Sequence, residues 1–210
     1  MLEEIKRFYR VLKIETSSIF KYNNTYFDTD DFLFYNQHHN ENRNRFKVRY
    51  RSYSSSDQQY FEIKIKNNKN RTLKKRLIVN GRSENLYDEE KNMITDIIGL
   101  QPQKLSPKLN IQFDRITLAD KNFNERVTID TNLATLNGKV SKIFDQLVIS
   151  EVKQKKYSSK SDFIKISRKL NIPEMRFSKY CMGMMKNHKG IKYNRFKSKL
   201  LKIDKILYEA

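Results

Sequence analysis

Through the middle of the chain, apolar and polar residues alternate in twos, the periodicity of strands whose two faces meet different surroundings. In Arg45-Phe46-Lys47-Val48-Arg49-Tyr50-Arg51 the cations share one face, while Phe46, Val48 and Tyr50 share the other. The pattern predicts strands over Tyr9–Ile14, Tyr22–Phe27, Arg45–Tyr53, Tyr60–Lys66, Thr72–Val79, Lys108–Ala119, Glu125–Asp130 and Asp145–Lys153. The Ser/Asp-rich stretch after Tyr53 and the Asn/Lys-rich stretch after Lys66 read as hairpin loops.

Helical spacing is rarer. Leu86–Ile98 carries Leu86, Met93, Ile97 and Ile98, with Asp88, Glu89 and Glu90 early and Gly99 at its end. Ser161 is placed to cap a helix holding Phe163, Ile166 and Leu170, which Pro173 closes off. Phe196, Leu200, Ile203 and Leu207 form a helical stripe in a basic C-terminal stretch. With so few bulky apolar residues, that stripe reads as a docking face rather than a membrane anchor. The expected class is α+β, dominated by antiparallel strands.

At 210 residues, with only 5 Gly and 3 Pro, the chain reads as one domain without long linkers. Its 43 Lys and Arg against 24 Asp and Glu leave a net charge of +19, a self-repulsion that a polyanion would relieve. Nucleic acid, an anionic membrane and a phosphate-rich small ligand all satisfy that requirement. The lone Cys181 excludes an internal disulfide and a cysteine-based zinc cluster, and reads as a partly buried thiol. No apolar run approaches the ~20 residues that span a bilayer, and Met1–Arg10 lacks the apolar core of a signal peptide. A soluble, cytoplasmic protein is the expectation.

The polar strand faces narrow the choice of partner. Glu62, Lys64 and Lys66 oppose Phe61, Ile63 and Ile65; Arg126, Thr128 and Asp130 oppose Val127 and Ile129. Lys74 and Arg76 alternate with Leu73, Lys75 and Leu77, with Lys75 breaking the pattern. A single such strand fits a sandwich with one wet face. Several in succession do not, because like charges opposed at ~5 Å destabilise a sheet. An anion against that face resolves the conflict. Glu62 in phase with Lys64, and Glu151 in phase with Lys153, add carboxylates that either neutralise their neighbours or hold a hard divalent cation beside phosphate oxygens. An RNA-binding module is the competing class. It calls for exposed aromatics among the cations, whereas Phe46, Tyr50, Phe61 and Ile63 fall on the opposite face, so nucleic acid is disfavoured. His38 and His39, in a polar loop after Tyr35, receive no role.

These motifs, taken in order, resemble the VTC-type polyphosphate polymerase domain. They are Tyr26-Phe27-Asp28-Thr29, then Arg45-x-Lys47-Val48-Arg49-x-Arg51-x-Tyr53, Phe61-Glu62-Ile63-Lys64 and Lys74-Lys75-Arg76. Arg126-Val127-Thr128-Ile129-Asp130, Glu151-Val152-Lys153 and Phe177-Ser178-Lys179-Tyr180 with Gly183 complete the series. That domain is similar to the triphosphate tunnel metalloenzymes, which include the CYTH proteins. The resemblance implies an antiparallel β-barrel tunnel of about eight strands with flanking helices, occupying residues 1–187, with 188–210 as a basic helical tail. It implies transfer of the γ-phosphate of a nucleoside triphosphate to polyphosphate, with Mn²⁺ or Mg²⁺, or a degenerate polyphosphate-binding relative; a hydrolase of inorganic or thiamine triphosphate is the alternative on the same fold. Carried over by motif, Arg49, Arg51, Lys64, Arg115, Arg126 and Lys179 would hold phosphates, with Lys47, Lys75 and Lys153 more weakly aligned. Glu151, and less closely Glu62, would meet the metal. The family's opening strand, with a Glu-x-x-Lys-Tyr or Asp-x-Lys-Phe type motif, is not matched, since Phe8–Leu12 resembles the strand that follows it; the expectation is either a truncated domain or a start that lies upstream. In the truncated case a missing strand would leave sheet edges exposed and remove one phosphate ligand.

Overall fold

Alternation of the kind seen around Arg49 does produce strands: the computed structural model joins nine of them, all antiparallel, in one sheet. The structure describes residues 1–208 other than 55, 70, 80, 82, 83, 138, 139, 145, 156, 157 and 173, with backbone alone for 57, 140 and 141. The strands are β1 (Tyr9–Val11), β2 (Ile19–Asp28), β3 (Arg45–Tyr53), β4 (Ser56–Lys66), β5 (Thr72–Val79), β6 (Ser106–Asp120), β7 (Glu125–Asn137), β8 (Val140–Phe144) and β9 (Ile149–Gln154). The helices are α1 (Leu2–Ile5), α2 (Leu33–His39), α3 (Asp88–Ile98), α4 (Asp162–Lys169), α5 (Lys179–Asn187) and α6 (Lys197–Tyr208). Neighbours run β5-β4-β3-β2-β6-β7-β8, with β1 against the end of β6 and β9 against the first half of β7.

Two helices begin and end where the sequence signals them. Ser161 accepts from the Ile164 amide at 3.2 Å to start α4, and Gly99, at φ 71°, stops α3. The predicted first strand is shorter, ending at Val11, and Ile14 makes only an isolated bridge with Ser17. Conversely, β7 continues to Asn137 and β8 follows it, both beyond the predicted Asp130. The last predicted strand begins at Ile149; its expected start, Asp145, and the expected helix stop, Pro173, lie outside the described residues. His38 and His39 belong to a helix, α2, rather than a loop.

Each face of the sheet has its own core. Outside, α3 covers β3 and β4, burying Val48, Tyr50, Phe61 and Ile63 with Ile94. Also outside, α1 and α4 cover β1, β6 and β7, burying Ile5, Tyr9, Val127, Ile129 and Phe163. On the other face α5 lies against Leu109, Ile111 and Leu133, and Ile203 of α6 joins the same core. Gly183 permits that approach: a Cβ there would meet Leu109 Cδ2 at 2.6 Å. Each large side chain so buried contributes about 1.5–3 kcal/mol.

The sheet is strongly curled. On a flat sheet, strands ~4.8 Å apart would hold β4 and β9 roughly 24 Å from each other. Yet Glu151 and Lys153 of β9 lie close enough to shift the titration of Lys64 on β4, and charges beyond about 10 Å are largely screened. Adjacent residues at the start of α5, its cap Ser178 and its first residue Lys179, give the same picture, because Ser178 meets Lys47 of β3 while Lys179 meets Asp130 of β7. Irregular register at Tyr26/Phe27 and between Gln112 and Asp114 supplies bends that aid the curl. The curl does not close. Among the described residues β5 pairs only with β4 and β9 only with β7, so the expected closed barrel is instead an open, trough-like sheet. Lysines 74 and 75 on the free β5 edge are a device that discourages pairing with other chains.

Candidate functional site

Register decides which side chains line the trough. Arg49 stands opposite Glu62 and Tyr26, Glu62 opposite Arg76, Lys47 opposite Lys64, and Lys64 opposite Lys74. Further round, Arg115 is opposite Asp130, Thr128 opposite Glu151 and Arg126 opposite Lys153. Lys47, Arg49, Arg51, Glu62, Lys64, Arg115, Arg126, Glu151 and Lys153 therefore share one face, and Lys179 enters it from the start of α5. Lys75 does not. It stands opposite Ile63, on the outward face, and Lys74 and Arg76 hold the inner positions of β5. The correction follows from the two-residue period of the strand: of two adjacent lysines only one can point inward.

Two buried carboxylates organise most of these cations. Glu62 Oε2 accepts from Arg49 Nε at 2.9 Å and Nη2 at 2.6 Å. Its Oε1 meets Lys74 at 2.5 Å and Arg76 Nη2 at 3.0 Å. Burial alone would raise the Glu62 pKa, but Arg49, Arg51 and Lys74 outweigh it and hold the group down at about 2. Asp130 plays the matching part on β7. It takes a bidentate pair from Arg115 at 2.5 and 2.7 Å, plus the Lys179 ammonium. There too the cations overcome burial and depress the carboxylate. Such charge-assisted pairs set guanidinium orientation as well as charge.

The remaining cations have no such partner. Among the described residues, Lys47, Arg51, Lys64 and Arg126 make no ion pair. Lys47 donates to Ser178 Oγ at 2.9 Å, and Arg51 donates through Nε to Asn24 Oδ1 at 2.8 Å, with no acceptor for its terminal nitrogens among the described residues. Burial and the neighbouring Lys47 and Arg49 push the Lys64 pKa down, and burial with Arg49 does the same to Arg51. Burial and these neighbouring cations both work against the charged forms of Lys64 and Arg51.

Aromatic residues line the trough too, which the strand pattern around Phe46 and Tyr50 does not reveal. Arg51 and Arg115 lie over Tyr22 at 5.6 and 4.8 Å, Lys179 over Phe113 at 4.9 Å, and Arg49 over Tyr26 at 5.6 Å while donating to its hydroxyl. Tyr26 and Phe113 are themselves buried, so these rings support the cations from beneath.

The two candidate metal carboxylates differ. Glu62 has both oxygens engaged. Glu151 is half exposed and, among the described residues, forms an ion pair with Lys153 alone, at 3.5 Å. Among the described residues no three His, Cys, Asp or Glu side chains gather as a metal-binding cluster. What the trough offers a divalent cation is one accessible carboxylate, a donor set that suits Mg²⁺ or Mn²⁺ only when phosphate oxygens supply the other ligands.

Asp28 ties the helices to this face. It is fully buried and accepts from the Phe34 and Tyr35 amides of α2, at 2.8 and 2.9 Å, and from the Tyr180 hydroxyl of α5 at 2.6 Å. Burial nonetheless raises its pKa. One carboxylate thus fixes both α2 and α5, and with α5 the positions of Ser178 and Lys179. Sequence reading marks Asp28 only as part of a motif, because its partners lie up to 152 residues away.

The architecture recurs in known structures. An adenylyl-cyclase candidate from Hippeastrum, described as having a dominant triphosphatase activity, is similar over 90% of this chain and 89% of its own, with TM-score 0.55 and 12% identity. An adenylate-cyclase candidate from Bacillus halodurans is similar over 90% and 94%, with TM-score 0.51 and 12% identity. At that identity the likeness speaks to the fold, a triphosphate-tunnel type. No individual curated protein matches the sequence at a significant level. The family model for the VTC domain matches residues 1–188, nearly nine-tenths of the chain, and the chain belongs to the VTC domain family.

Proposed function

We propose that the trough binds the phosphate chain of a nucleoside triphosphate or polyphosphate and, with a divalent cation, passes the γ-phosphoryl group to the end of a polyphosphate. The observation that carries this reading is the set of inner-face cations without an ion pair among the described residues, Lys47, Arg51, Lys64 and Arg126, interleaved with cations already neutralised by Glu62 and Asp130. Phosphoryl transfer asks chiefly for positioning and charge stabilisation, with little covalent work from the protein. Arg51 and Arg115 keep free guanidinium nitrogens for phosphate oxygens, and Lys64 and Arg126 add point and fork donors from two facing walls. Arg49, held by Glu62 and Tyr26, positions more than it binds. Lys153 keeps Glu151 beside the phosphates, where it would hold Mn²⁺ or Mg²⁺ together with phosphate oxygens. That ion would supply neutralisation of the charge that develops on the transferred group.

Hydrolysis of a triphosphate is the second reading, favoured by the shared fold with the Hippeastrum protein and its described triphosphatase activity. The same lining serves water or phosphate as acceptor. With ATP and Mn²⁺, polymerisation yields long-chain polyphosphate and hydrolysis yields orthophosphate alone.

Binding itself is tested by thermal unfolding. Several charge-assisted hydrogen bonds, each on the order of 1.5–3 kcal/mol, act at once on a short linear phosphate, and ligand bound only to the native state raises Tm. Tripolyphosphate is expected to raise Tm far more than sulfate at equal ionic strength. Arg49→Ala with Arg51→Ala removes that excess, whereas Lys197→Ala with Lys202→Ala, both exposed on α6, does not. Equal shifts from the two anions, indifferent to Arg49 and Arg51, would show that the trough is merely a solvated basic face.

A further inference from the structure

Where the basic face ends, the protein keeps a cavity of about 190 Å³ that triphosphate binding does not require. Arg45 of β3 and Lys66 of β4 line it; they pair across the strands two positions beyond Lys47 and Lys64, on the same face. Ser178 belongs to both regions. It accepts from Lys47 on the trough side, caps α5, and lines the cavity. The cavity is therefore continuous with the cation track, one step of ~7 Å along the strands from the Lys47–Lys64 pair.

The lining differs in kind from that of the trough. Phe177, Met182 and Phe196 make an aromatic and thioether floor, and His38 and Glu41 add hydrogen-bonding groups. His38 Nε2 lies 3.1 Å from the Phe46 carbonyl, which can only accept, so this nitrogen carries the proton and Nδ1 remains an acceptor. Burial, and then Lys47, push the ring's pKa down to about 2, which keeps it neutral. A bare phosphate has no use for an apolar floor, and an alkyl tail has no use for His38, Ser178 and Glu41. A planar heteroaromatic ring on a sugar uses both.

We propose that this cavity seats the base and ribose of a nucleoside triphosphate, whose phosphates pass Arg45 and Lys66 to enter the trough at Lys47 and Lys64. The proposal rests on the phosphate-binding reading above and adds to it a site for the nucleoside end of the donor. A flat base against Phe177 and the methionine side chains gains stacking and sulfur contacts, while Arg45 and Lys66 meet the first phosphate.

Titration calorimetry on the full chain separates the two readings, with ATP and tripolyphosphate as probes at equal free Mg²⁺. ATP is expected to bind about tenfold more tightly than tripolyphosphate, the scale that one stacked base contributes. Phe177→Ala brings ATP to the level of tripolyphosphate and leaves tripolyphosphate itself within about twofold. Should Phe177→Ala fold poorly, Met185→Trp, which fills the cavity from a half-buried position, is expected to lower ATP affinity selectively. Equal affinity for both probes in the unmodified chain would overturn the nucleoside site and leave the phosphate trough standing. Failure of both to bind would overturn the trough as well. Decyl phosphate binding more tightly than ATP would overturn the proposal in favour of an acyl pocket.

Discussion

Glu62 and Glu151 face into the same trough, on β4 and β9, and both precede a lysine by two positions. Glu62 is buried beneath Arg49, Lys74 and Arg76, with its side chain 2% exposed. Glu151 is 52% exposed and, among the described residues, makes its one ion pair with Lys153 at 3.5 Å. The same Glu-x-Lys spacing thus yields a carboxylate committed to the protein and one open to a ligand. What separates them is the next strand over. β5 brings two further cations onto Glu62, whereas β9 has no described strand beyond it.

The largest effect is expected from Glu62→Gln. The amide keeps the shape but leaves Arg49, Lys74 and Arg76 gathered round a neutral group. Breaking a buried pair costs about 3–5 kcal/mol; the lower figure applies because Lys74 and Arg76 reach solvent. Urea unfolding would register it as a fall in midpoint with little change of slope. The native protein should show the same dependence through pH. The Glu62 pKa falls from an ordinary 4.5 to about 2 on folding. Its contribution is therefore complete above about pH 4.5 and is lost as pH falls towards 2. In Glu62→Gln that part of the acid dependence should vanish; if it persists unchanged, another carboxylate, such as Asp130, governs it.

Glu151→Gln should reverse the profile. Stability stays within about 0.5 kcal/mol of the unmodified chain, as for other exposed substitutions. Metal-dependent phosphoryl transfer falls on the order of 100-fold, because an amide is a poor ligand for a hard divalent cation. Tripolyphosphate binding without metal stays largely intact. Transfer with Mn²⁺ at a near-native rate in Glu151→Gln would remove Glu151 from the metal's coordination.

The contrast also shows how far the sequence can be read. Alternation marked nearly every strand of the trough, because a period of two is local and the apolar face of β3 or β4 is unambiguous. Helix α5 was hidden by its own composition. Gly183 sits mid-helix, where glycine is ordinarily unfavourable, and its reason is Leu109 on a distant strand. Helix α2 opens at Phe32 in the left-handed region, with no side-chain cap of its own; Asp28 from β2 supplies the acceptors instead. Tyr22, Tyr26 and Phe113 fall within predicted strands, and only the curl shows them beneath the cations. Closure was the costliest misreading. Family resemblance carries the idea of a barrel, but hydrogen-bonding partners for β5 and β9 are a property of the whole sheet and leave no mark on either strand.

Lys74 and Lys75 offer the smallest effect and the cleanest control on this comparison. They are adjacent, both exposed, and both on the edge strand β5, so either alanine substitution lowers the net charge by one. A long-range electrostatic contribution to polyanion binding treats them alike. The register does not. Lys74 is opposite Lys64 and reaches Glu62 at 2.5 Å inside the trough, while Lys75 is opposite Ile63 on the outward face. If the ligand lies in the trough, Lys74→Ala should weaken tripolyphosphate about threefold, a rim contact screened by solvent. Part of the loss is indirect, since Glu62 would then be shared by fewer cations and would draw harder on Arg49. Lys75→Ala should leave affinity unchanged and stability within about 0.5 kcal/mol. Titration of both variants at two salt concentrations decides the matter. Equal losses that shrink together as salt rises would mean that the face is felt only as net charge, whereas a loss confined to Lys74→Ala places the phosphate chain inside the curl of the sheet.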